Sequence, residues 1–132
     1  MDLYIAPNGN DDWSGTRPTA SASKTDGPLA TLDGVRTCLR ALKTADGVCD
    51  LKRPHNTERI HGPVTVHLRG GVYPITKPVV FTAEDSWPVT FTAYKKEKPV
   101  ISGARRITGW KQTTVNDRKA WVANLPDPLP ET

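Results

Sequence analysis

The sequence has little of what usually makes a short chain easy to place. Its 132 residues include two cysteines, two phenylalanines and one methionine. Two cysteines are too few for a disulfide framework. No Cys-x-x-Cys or Cys/His zinc spacing occurs, and His55, His61 and His67 form no helical His-x-x-x-His pair. Long apolar runs are missing as well. Runs of aliphatic or aromatic residues reach four at most, at Leu3–Ala6 and Ala120–Ala123, far short of the roughly 20 residues of a membrane span. Met1–Asp2–Leu3 opens with neither a basic start nor an apolar segment. The chain is therefore expected to be cytosolic, to have lost a leader, or to carry an added Met1. Leu, Ile, Val and Phe number 27, about a fifth of the chain and the lower limit for a globular core. Pro and Gly number 22, too few for collagen or low complexity. Charge of one sign is scarce: 18 basic residues face 14 acidic ones, a net +4. The densest basic groups are Lys95, Lys96 and Lys98, and Arg105–Arg106. They read as solvated loop charges, so neither nucleic acid nor membrane is expected as a partner.

What is present is a change of period along the chain. Leu3 to Ala6 reads as a short strand stopped by Pro7, and Asn8 to Thr16 as a polar turn-rich loop. Leu32, Val35, Leu39 and Leu42 recur at helical steps, with Thr31 as N-cap, Asp33 in the first turn and Gly47 at the end. Cys38 falls on the buried face and Cys49 just past the end; the two can bridge if the chain is exported. From Pro63 the period becomes 2. Val64, Val66 and Leu68 alternate with Thr65, His67 and Arg69, and Val89, Phe91 and Ala93 with Thr90, Thr92 and Tyr94. Val72 to Ile75, Val79 to Thr82 and Val100–Ile101 read as further short strands. A shift of 25 residues lays Pro63-Val64-Thr65-Val66 on Pro88-Val89-Thr90-Phe91, and Pro74–Ile75 on Pro99–Val100. Short strands recurring at a fixed offset with no helices between them predict a parallel β-helix, a solenoid. A β-sandwich also has short strands but requires no such offset.

Particular residues carry a resemblance as well. They are Tyr4-Ile5-Ala6-Pro7-Asn8-Gly9-Asn10-Asp11, Ser14-Gly15-Thr16, Gly27-Pro28-Leu29-Ala30-Thr31-Leu32, Leu68-Arg69-Gly70-Gly71-Val72-Tyr73 and Lys98-Pro99-Val100-Ile101-Ser102-Gly103. This set resembles the opening of bacterial right-handed parallel β-helix proteins of the pectin-lyase-like superfamily. Ile107-Thr108-Gly109-Trp110-Lys111 with Trp121-Val122-Ala123-Asn124-Leu125-Pro126 is similar to a narrower branch, β-helix glycoside hydrolases with a small inserted β-domain. The resemblance implies a mainly β chain in three parts. Residues 1–62 would hold an N-terminal strand, loops and a capping α-helix, residues 63–103 the first coils, and residues 104–132 the start of the inserted domain. It implies a secreted or cell-surface protein that acts on polysaccharide or oligosaccharide, with the rest of the β-helix following this chain. The alternative is a non-catalytic adhesin or carbohydrate-binding module.

The residues themselves say less about chemistry. With the offset of 25, Thr65 stacks beside Thr90, His67 beside Thr92 and Arg69 beside Tyr94, an outward polar column if Val64, Val66 and Leu68 face the core. Aromatic faces, hydroxyls and charged donors on a rigid surface suit a sugar, so His67, Arg69 and Tyr94 are the candidate substrate-binding residues. An ordinary solvated strand face is the other reading of the same column. Glycosidases use two carboxylates about 5 to 10 Å apart. Asp11–Asp12 and Glu84–Asp85 lie in turns, so no catalytic residue is assigned here. The resemblance puts the catalytic carboxylates on later coils. Asn8, Asn10, Asp11 and Asp12 could offer oxygens to calcium, but they lack the Glu of an EF-hand, and Asx hydrogen bonds explain the turn. No metal and no cofactor is expected, and no nucleophile elbow or phosphate loop occurs. Leu129-Pro130-Glu131-Thr132 matches the start of a sortase sorting signal without its glycine, apolar tail or basic end; a proline-rich turn explains it too. Two coils are fewer than a solenoid needs. Val89, Phe91, Val100 and Ile101 are then expected beside an uncovered end, and the isolated chain is expected to be marginally stable or to self-associate.

Overall fold

Alternation shapes the first sheet. Along Val64–Leu68 the side chains run buried, half-buried, buried, half-buried, buried, as a strand with one face on a core must. The computed structural model describes residues 1–43 and 62–125. Within them the strands are β1 (Asp2–Ile5), β2 (Val64–Leu68), β3 (Gly71–Pro74), β4 (Val89–Ala93), β5 (Pro99–Ser102), β6 (Lys111–Val115) and β7 (Arg118–Val122). One helix, α1 (Leu32–Lys43), and a 3-10 turn at Ala83–Asp85 complete the elements. Cys49, His55, His61 and Leu129–Thr132 lie outside the described residues, so the Cys38–Cys49 bridge and the sorting-signal match do too. Cys38 is buried.

The described chain is mainly β with one helix. Its strands form a parallel sheet in the order β1-β2-β4, a parallel pair β3-β5 and an antiparallel pair β6-β7. β2 and β4 pair at the offset of 25, Val64 opposite Val89 and His67 opposite Thr92. β3 and β5 pair at an offset of 28, Gly71 opposite Pro99 and Tyr73 opposite Ile101. Five residues separate β4 from β5, whereas two separate β2 from β3.

These findings overturn the resemblance to the pectin-lyase-like β-helix proteins. A solenoid coil must pair with its neighbour on every side. Here two small sheets pair, and no third side does among the described residues. Val79 to Thr82, read as a strand, forms none. Two arginines of α1 take this stretch instead. Arg36 Nη1 donates to the Val80 carbonyl oxygen at 2.6 Å, and Arg40 donates from Nε and Nη2 to both Asp85 carboxylate oxygens at 2.5 and 2.7 Å. Thr82 N also donates to Asp85 Oδ2 at 2.7 Å, which curls the chain into the 3-10 turn. The role of α1 as a solenoid cap falls with the solenoid.

Instead α1 is part of the core itself. Val35, Cys38, Leu39 and Leu42 pack with Leu3, Ile5, Leu29, Val64, Val66, Leu68 and Tyr73. Each such Leu, Ile or Val contributes about 1.5–3 kcal/mol by leaving water. Thr31 Oγ1 accepts from the Gly34 amide at 2.9 Å, an N-cap bond. Asp11 reinforces it from the polar loop: its Oδ1 accepts from the amides of Ala30 and Thr31 at 2.8 and 2.9 Å, and its Oδ2 from Thr31 Oγ1 at 2.6 Å. Gly9 lets the same loop lie against Leu29, whose carbonyl oxygen would stand 2.2 Å from a Cβ there. No helix among the described residues is long and apolar enough to cross a membrane.

Candidate functional site

The outward face of the parallel sheet carries its chemistry. Because side chains alternate, residues facing away from the core line up across the strands. One row is Asp2, Thr65 and Thr90; the next is Tyr4, His67 and Thr92. Tyr94 follows β4 at once, its amide donating to the Leu68 carbonyl oxygen at 2.8 Å.

These positions gather three rings. Tyr4 and His67 stack with centroids 5.1 Å apart and planes 20° from parallel. Tyr94 meets both edge-on, 5.8 Å from Tyr4 and 6.1 Å from His67, an arrangement that the ring quadrupoles favour. His67 Nε2 lies 2.9 Å from Asp2 Oδ1, which fixes the imidazole plane. The Arg69 guanidinium carbon lies 4.9 Å from the Tyr94 centroid and Lys95 Nζ 5.0 Å, both within cation–π range.

The three residues singled out from sequence, His67, Arg69 and Tyr94, therefore stand together, in different roles. Arg69 is committed to structure: it donates from Nε to both Glu97 oxygens at 2.9 and 3.1 Å, from Nη2 to Glu97 Oε1 at 2.9 Å, and from Nη1 to the Pro18 carbonyl oxygen at 2.5 Å. Glu97 Oε2 also accepts from the Gly70 amide at 2.6 Å. The Arg69 hydrogen bond, then the Gly70 one, hold the Glu97 carboxyl below the usual carboxylate range. Two further members, Tyr4 and Asp2, belong to β1. Alternation about Leu3 and Ile5 placed Tyr4 on an outward face. Nothing local showed that β1 pairs with β2, about sixty residues away.

Other pockets offer less chemistry. A cavity of about 540 Å³ lies between the first turn of α1 and β3, walled by Leu32, Arg36, Val72, Pro74 and Val79. Its one acid, Asp33, is paired with Arg36. A second, of about 490 Å³, is walled by Pro7, Asn8, Pro18, Gly71 and the Arg69–Glu97 pair. In the polar loop Asn10 Oδ1 accepts from the Asp12 amide at 2.9 Å, an Asx turn. Among the described residues no three His, Cys, Asp or Glu groups come together as metal ligands. Several carboxylates are engaged: Asp85 with Arg40, Glu97 with Arg69, Asp33 with Arg36 and Asp26 with the Ser14 amide. Hydrogen bonding to Arg40 drives the Asp85 carboxyl far below the usual carboxylate range.

Sequence comparison places this geometry beside one curated relative. The chain is 30% identical over 101 residues to the "Uncharacterized protein YwoF" of Bacillus subtilis (strain 168). The match covers 76% of this chain but spans only 15% of that protein's length. No protein-family model matches the chain. No solved structure matches it either.

Proposed function

We propose that this chain is a saccharide-binding segment of a longer secreted or cell-surface protein. The observation that carries the reading is the ring cluster of Tyr4, His67 and Tyr94 on a flat sheet face. Thr65, Thr90 and Thr92 supply hydroxyls beside it. Sugar rings present C–H faces to aromatic groups and hydroxyls to polar ones, so a rigid surface of this mixed kind suits them.

Hydrolysis is not assigned to this segment. A glycoside hydrolase needs an acid and a base or nucleophile free to act about 5–10 Å apart. Asp11, Asp26, Asp33, Asp85 and Glu97 are held by amides or arginines. If the whole protein is a glycoside hydrolase, its catalytic carboxylates lie beyond this chain. The 15% span of the longer relative fits that arrangement.

The test is a screen of neutral oligosaccharides, followed by calorimetric titration of the best ligand. Tyr94→Ala and Tyr4→Ala are expected to weaken binding about tenfold, the loss of one good contact of about 1.4 kcal/mol. Binding that is unchanged in both variants, with the fold intact by circular dichroism, would remove the reading.

A further inference from the structure

Basic residues outnumber acidic ones in the last part of the described chain. Residues 104–125 hold Arg105, Arg106, Lys111, Arg118 and Lys119 against Asp117 alone, a net +4. The rest of the chain holds 13 residues of each sign. Residues 104–125 make up one sixth of the sequence. At their centre is the β6–β7 hairpin, closed by Asn116 and Asp117 with φ of 48° and 58°, the left-handed pair of a two-residue type I′ turn.

Register sorts the hairpin into two faces. Gln112 lies opposite Trp121 and Thr114 opposite Lys119, so these four side chains share one face. Trp121 is 65% exposed and Trp110, just before β6, 54% exposed. Trp121 is thus left mostly in water. It is flanked on its own face by an amide, a hydroxyl and an ammonium group.

We infer that this face is a second binding site, separate from the Tyr4–His67–Tyr94 row, for an anionic polysaccharide. The indole of Trp121 would take the apolar face of a sugar ring, and Gln112 and Thr114 its hydroxyls. Lys119 on the same face, with Lys111 and Arg118 on the opposite face of the same hairpin, would attract its repeated negative groups. Those groups are carboxylates or phosphodiesters, and the shared chemistry is a glycan strand of regular negative charge. The inference shares with the proposed function only the class of ligand.

The test uses the whole chain in affinity electrophoresis through gels containing alginate, phosphomannan, dextran or single-stranded DNA. Tryptophan fluorescence is read in parallel. One or both anionic glycan-type polymers should retard the chain and dextran should not; which of the two does so identifies the charged group. Trp121→Ala should weaken that binding about tenfold. Lys119→Gln, which keeps the indole, should weaken it less and flatten its salt dependence. Tyr94→Ala should weaken it less than Trp121→Ala does, which separates this site from the first. Three outcomes would overturn the inference: no retardation by either anionic polymer, full binding by both Trp121→Ala and Gln112→Ala, or equal binding to DNA with the same loss in Trp121→Ala. A loss in Tyr94→Ala equal to that in Trp121→Ala would overturn the separateness of the two sites.

Discussion

The carboxylate of Asp11 occupies the space a side chain at Gly34 would need: its Oδ1 lies 2.1 Å from the ideal Cβ position there. The two residues are 23 apart in sequence and meet because Asp11 binds the amides that open α1. In an isolated helix, Gly→Ala stabilises by about 1 kcal/mol. Here Gly34→Ala must displace Asp11 and its three hydrogen bonds. Gly34→Ala is expected to destabilise the chain by about 2 kcal/mol, since a hydrogen bond to a charged group contributes about 1.5–3 kcal/mol. Urea denaturation decides it, and a midpoint that rises would refute the account.

Tyr73 gives a pH dependence. Its hydroxyl donates to the carbonyl oxygens of Ile5 and Arg69 at 2.9 and 2.6 Å inside the core. Burial, and then the Glu97 charge, push its phenol up to about 12. An unfolded tyrosine ionises near about pH 10. The folded chain therefore holds the proton longer than the unfolded one. This contribution to stability is complete below about pH 10 and is lost as pH rises through the folded value. The urea midpoint should fall between about pH 10 and about pH 12, and should fall less in Tyr73→Phe. Equal slopes for the two proteins would contradict this assignment.

The sheet edges predict association. Val64 N donates to the Pro88 carbonyl oxygen and Tyr94 N to that of Leu68, so the even-numbered residues of β4 turn their amides to β2. Val89, Phe91 and Ala93 turn theirs outward, along the edge strand of the sheet. Phe91, Val100 and Ile101 are exposed at the edge strands β4 and β5, and Phe81 packs edge-on against Phe91. Long apolar edges of this kind recruit other chains unless charged groups blunt them. Sedimentation velocity over a wide concentration range should show self-association, and Phe91→Lys combined with Ile101→Lys should reduce it. A wild-type chain that stays monomeric throughout would count against the edge argument.

How much was legible in advance differs from element to element. The alternation of Val64, Val66 and Leu68 needs only local geometry, because period 2 with one apolar face has one solution. The Leu32, Val35, Leu39 and Leu42 stripe is local in the same sense. Val79 to Thr82 reads as a strand by composition, yet Arg36 and Arg40 of α1 capture it through Val80 and Asp85, a contact across about forty residues. The hairpin carries a local signal: Asn116–Asp117 between two polar strands is a turn pair suited to left-handed backbone. The β-helix expectation failed for a topological reason. An offset of 25 can place two strands side by side, but closure requires every side to repeat, and the second sheet already runs at 28.

Sequence by itself determined the strand and helix periods and the scarcity of cysteine and long apolar runs. Each follows from composition or from neighbours within a few positions. Tertiary structure alone decided that Tyr4 stacks on His67, that Glu97 claims Arg69, and that Asp11 fills the space beside Gly34. Those contacts join residues 23 to 63 positions apart. Their free energy depends on which strands pair and which loops close over them, and no local pattern encodes that choice.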